Sequence, residues 1–135
     1  MDGDARRSIY VEVRRNAPSH FFSAFDKPVA FTTVGKRATS NSAAQALILL
    51  NDPLVFDQAS KWAARLVGEF DTTQPAVVEA FWQAFGRPPT ERERQRVVAY
   101  LNQRLGSDPD QESRRQAWTE VCRTLYNIKE FIFLP

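Results

Sequence analysis

The chain has 135 residues, enough for one ordinary domain that buries roughly 65–70% of its unfolded surface. Its apolar fraction of 43% and charged fraction of 25% exclude wholesale disorder, and 18 basic against 16 acidic residues is too even a balance to announce a nucleic-acid binder. Cys122 is the only cysteine and His20 the only histidine, which excludes an internal disulfide, a multi-cysteine zinc site and a covalent haem attachment within this chain.

Residues 8–15 read as an extended arm, because Ile9, Val11 and Val13 alternate with Tyr10, Glu12 and Arg14. Phe21, Phe22 and Phe25 form a short turn that Asp26-Lys27-Pro28 stops, since a residue before proline avoids the α region. Residues 26–42 are irregular and rich in Ser, Thr and Asn, and are expected to be a long ordered loop. A helix then runs from Ala43 to Leu50 and stops at Asn51. Asp52-Pro53 starts a second one, with Asp52 as N-cap and Pro53 where its missing N–H costs nothing. Val55, Ala59, Trp62, Ala63 and Leu66 mark its inner face, and Gly68 is expected to end it.

A third helix begins near Thr73, with Val77, Val78, Phe81, Trp82 and Phe85 as its stripe. After Gly86-Arg87-Pro88-Pro89, the pattern Thr90-x-x-Glu93 is a capping box that opens a fourth helix, with Val97, Val98, Leu101 and Leu105 inward and Arg92, Arg96 and Gln103 outward. Asp108-Pro109 with Gln111 repeats the cap logic for a fifth. Trp118, Val121, Cys122, Leu125 and Ile128 are its inner face, continuing into residues 131–134. The expectation is a mainly α single domain over 1–135. About five helices over 43–135 form an orthogonal or irregular bundle, preceded by an arm and loop over 1–42.

The candidate chemistry is sparse. Arg6, Arg7, Arg14, Arg15, Lys36 and Arg37 could form an anion-binding patch if the arm lies on the loop, although charge runs more often form a solvated face. Asp26, Gln45, Asn51 and Arg87 are read as structural polar residues: Asp26 as a turn acceptor, Gln45 and Asn51 as helix-end bonds, Arg87 on carbonyls left open by the preceding helix. Arg37 is read as a salt bridge that holds the loop on the helices, against the alternative that it and Asp26 form a catalytic or ligand pair. A Ser19/His20/Asp26 set can be written down, but a triad is defined in space and no GxSxG elbow accompanies it. Cys122, Trp62, Trp82 and Trp118 are expected in the core, and no metal site is expected. The helices at 73–85 and 90–105 make a poor helix-turn-helix, because Pro88-Pro89 is an unusual turn. No apolar run reaches the ~20 residues that cross a bilayer, and the N-terminus lacks the apolar core of a signal peptide, so membrane insertion is not expected.

One resemblance runs through the chain in order. Arg6-Arg7-Ser8-Ile9-Tyr10, Phe25-Asp26-Lys27-Pro28, Gly35-Lys36-Arg37-Ala38-Thr39, Gln45-Ala46-Leu47 and Leu49-Leu50-Asn51-Asp52-Pro53 are its first pieces. Phe85-Gly86-Arg87-Pro88-Pro89-Thr90 with Glu93, then Leu125-Tyr126-Asn127 with Glu130-Phe131, are its last. Together they resemble the C-terminal part of a planctomycete family, domain of unknown function 1553, also called planctomycete-specific domain one. Tyr126 and Ile128-Lys129 depart from its usual pattern. The resemblance implies the tail of a large exported bacterial protein, hence an extracytoplasmic setting, with upstream domains as partners. No cofactor is implied in this chain, and a haem only in an upstream cytochrome-like domain. The expected function is a non-catalytic module for interdomain assembly or for binding an anionic polymer such as a sulfated polysaccharide. The alternative is part of an enzyme completed by the upstream half, to which Asp26, Arg37 and His20 contribute.

Overall fold

Among the described residues seven helices follow one another: α1 (His20–Ala24), α2 (Ala43–Asn51), α3 (Pro53–Glu69), α4 (Thr73–Phe85), α5 (Glu91–Leu105), α6 (Gln111–Tyr126) and α7 (Lys129–Ile132). The structure, a computed structural model, describes residues 20–25, 35, 43–106 and 109–132. The fold is mainly α, with no strand among the described residues. The expected arm at 8–15 and nearly all of the loop at 26–42 lie outside them.

The core is built on α3 and α6, which pack along each other most extensively. Ala59 and Ala63 on α3 and Ala117 and Cys122 on α6 are all buried, and their small side chains let the two helices approach closely. Trp62 and Leu66 from α3 and Trp118, Val121 and Leu125 from α6 fill the remaining space. Helix α4 adds Ala76, Val77, Ala80 and Phe81, and α5 adds Leu101, so one continuous cluster joins four helices. Helix α2 lies at the edge of this cluster, against α1, α3 and α6.

Local chemistry explains most boundaries. Asp52 accepts from the Leu54 N–H at 2.8 Å, and Pro53 occupies the first turn of α3. Thr90 and Glu93 form the reciprocal capping box of α5. Gly86 ends α4 in the left-handed region at φ 66°, with its N–H on the Trp82 carbonyl at 2.9 Å.

Four expectations are corrected. Gly68 does not end α3: the helix runs to Glu69, and the Phe70 N–H closes it on the Leu66 carbonyl. The cap of α6 is Asp110, which accepts from the Ser113 N–H at 2.9 Å, two residues later than the Asp108-Pro109 pairing suggests. Trp82 is 50% exposed, because α4 turns Ala76, Val77, Ala80 and Phe81 inward and leaves Trp82 beside that stripe. Finally, α6 does not continue into Phe131 and Ile132, and residues 133–134 lie outside the described residues. It breaks at Asn127, Ile128 packs partly on the core, and the short α7 has no buried residue.

Candidate interaction surface

Arg87 ties three parts of the chain together at the corner between α4 and α5. Its Nη1 and Nη2 donate to the two carboxylate oxygens of Glu93, each at 3.0 Å. Its Nε and Nη2 donate to Glu130 of α7 at 2.8 and 2.7 Å, and Nη1 also reaches the Pro88 carbonyl at 3.1 Å. All five N–H donors of the guanidinium are therefore used. The same group lies over the rings of Phe81 and Phe85, 5.9 and 5.6 Å from their centroids. Arg87 thus bonds carboxylates from α5 and α7, where open carbonyls of α4 were expected. The bonds from Arg87 hold the Glu93 carboxyl down at about 2 and lower that of Glu130, while donating to Glu130 and Glu93 raises the Arg87 guanidinium further.

A chain of rings continues from this corner. Phe131 of α7 lies 5.0 Å from Tyr126, and Tyr126 lies 5.4 Å from Trp62, whose indole N–H donates to Gln83 at 2.6 Å.

A second surface forms where α2 meets the start of α3. Leu47 is 58%, Leu50 41% and Phe56 52% exposed. Arg123 from α6 joins them: its guanidinium lies 5.4 Å from the Phe56 ring centroid and donates to the Leu50 carbonyl. Gln45 is buried and donates to the Ala24 carbonyl at 2.9 Å, which fastens α2 to the end of α1; Asn51 donates to the Leu47 carbonyl at 2.9 Å.

Arg6, Arg7, Arg14, Arg15, Asp26, Lys36 and Arg37 lie outside the described residues, as does the side chain of His20 at the start of α1. Cys122 is buried and its thiol is pushed up to about 12, so it is a neutral core group at physiological pH. A shallow depression of about 400 Å³ is lined by Ala64, Val67, Asp110, Gln111, Glu112 and Arg115. Its carboxylates are already engaged: Asp110 caps α6, and Arg115 holds Glu112 down at about 2. General acid–base work at neutral pH needs the opposite shift. Arg92 and Arg96 are exposed one turn apart on α5, but Arg94 between them is bonded by Glu91 and Gln74, so no continuous basic stripe results. Among the described residues no three His, Cys, Asp or Glu side chains cluster to hold a metal, and no helix is long and apolar enough to cross a membrane.

One feature of this surface had no signal in residue pattern: nothing in the spacing pairs Arg87 with Glu130, 43 positions later. Phe56, by contrast, falls off the 3.6-spaced inner stripe that begins at Val55, and it is exposed where Val55 is buried. Searches of curated proteins found no match, and neither did searches of solved structures. A family model does match residues 1–101: that of PSD1, a protein family of unknown function (DUF1553). The chain belongs to that family.

Proposed function

We propose that this chain is a non-catalytic helical module that serves interdomain assembly, its partner being an upstream domain of a larger exported polypeptide. Helix α2 carries the reading. Its sequence, AAQALILLN, is apolar on nearly every side, and such a helix is stable in water only when surrounded. Yet among its described side chains Gln45 and Leu49 alone are buried, while Leu47, Leu50 and the neighbouring Phe56 face outward. Large apolar side chains gathered on one face are the ordinary mark of a surface covered by another protein part. The extracytoplasmic setting, and any haem in an upstream domain, are supported by the family resemblance alone.

The test is a thermal-shift panel on the chain with the recombinant upstream half, sulfated polysaccharides and duplex DNA. The upstream half is expected to raise the melting temperature, and the double substitution Leu47→Ser, Phe56→Ser to abolish that rise while leaving the chain's own melting temperature nearly unchanged. A salt-sensitive rise with sulfated polysaccharide alone would make the module an anionic-polymer binder instead.

A further inference from the structure

Helix α7 is attached from the outside. Lys129, Glu130 and Phe131 are exposed and Ile132 is half-buried. Among the described residues, its specific polar and ring contacts are the Phe131 N–H on the Ile128 carbonyl at 2.9 Å, the Phe131–Tyr126 ring contact and the Arg87–Glu130 ion pair, beside its packing on α4 and α6. Exposed ion pairs contribute little net stability. Release of α7 strands nothing, because Glu93 and the Pro88 carbonyl still hold Arg87, and its side chain, 34% accessible, meets water. Glu93 and Glu130 also repel each other across the guanidinium they share. What lies beneath α7 is a fork for a carboxylate set on two phenylalanines, next to the ring pair Tyr126 and Trp62.

We propose that this corner is a docking surface for a segment of a partner protein that presents a carboxylate followed directly by an aromatic ring, and that α7 is its displaceable occupant within the chain. The bonds of α7 define what the surface accepts: Arg87 grips a carboxylate through two parallel N–H bonds, and the Tyr126 ring takes the aromatic side chain. Tethering gives α7 the advantage of a high effective concentration, so a partner must add contacts of its own. Trp82, half-exposed on α4, offers such a contact on a helix that packs against α7. This surface lies on other residues than the α2 face, so substitutions at Leu47 and Phe56 leave it intact and the two readings fail separately.

The experiment is amide hydrogen exchange on the full chain by NMR. The Phe131 amide is expected to exchange at least about tenfold faster than the Leu125 amide of α6, and Glu130→Gln to speed it about threefold more without moving Leu125. The peptide acetyl-Ile-Lys-Glu-Phe-Ile-amide at millimolar concentration is then expected to speed exchange at Phe131 and shift the Trp82 indole signal, while its Glu-to-Gln counterpart does neither. Exchange of Phe131 at the rate of Leu125 would overturn the displaceable latch. An equal response to both peptides would overturn carboxylate recognition. Self-association of the chain that Glu130→Gln abolishes would overturn a separate partner protein in favour of a second copy.

Discussion

Gly68 and Gly86 are one residue type under two different constraints. Gly68 lies inside α3 and Gly86 holds the left-handed cap of α4, and a Cβ would meet nothing within 4 Å at either. Only backbone conformation separates them. Gly68→Ala is expected to stabilise the fold by about 0.5 kcal/mol, since alanine loses less entropy in a helix, and Gly86→Ala to destabilise it by about 1 kcal/mol. Paired urea titrations of the two variants check both signs. The Arg87 cluster makes a pH prediction at the same scale. The carboxyl of Glu93 falls from its ordinary 4.5 to about 2 in the fold, chiefly through its bonds to Arg87. A depressed carboxyl contributes stability that is present above its unfolded value and lost as pH falls through its folded one. Stability is therefore expected to decline from about pH 4.5 towards 2, with Glu112, also at about 2, adding to the decline. Arg87→Met should make that slope shallower in acid titrations followed by circular dichroism.

The helices differ in how their inner faces could be read. The stripe of α3, from Val55 to Leu66, is buried as its spacing indicates, because a proline and an aspartate pin its start and only one face is apolar. Helix α4 is less legible. With Val77, Val78, Phe81, Trp82 and Phe85 it offers more apolar residues than one face can hide, and packing against α3 and α5 buries Val77 and Phe81 while leaving Trp82 outside. The two tryptophans should accordingly behave differently. Trp118→Ala, deep in the core, is expected to cost about 3–5 kcal/mol, whereas Trp82→Ala should cost a small part of that. Chemical denaturation of both variants, with intact secondary structure as the control, measures the contrast.

Across the whole molecule, the core does not coincide with the segment that the family model matches. The match ends at Leu101 in α5, yet Ala117, Trp118, Val121, Cys122 and Leu125 of α6 complete the cluster. A chain of residues 1–101 would expose the inner faces of α3, α4 and α5 to water. It is expected to lack a cooperative thermal transition, while the full chain shows one. Loss of α6 would also remove Arg123 from the Phe56 ring and the Leu50 carbonyl, loosening α2 as well.

Residue pattern alone settled that the described chain is helical and where α2 to α5 begin, but not where α6 and α7 begin. Caps, prolines and apolar period are local properties, and they act within one turn of the residues that carry them. Asp52-Pro53 and Thr90-x-x-Glu93 needed no partner elsewhere in the chain to do this. Which apolar side chains stay in water was settled by how the helices pack. Leu47, Leu50 and Trp82 are as hydrophobic as their buried neighbours, and their exposure depends on which helices arrive beside them. Packing also decided that Arg87 meets Glu130, because a salt bridge across 43 positions follows from the way α4, α6 and α7 pack and leaves no trace in local spacing.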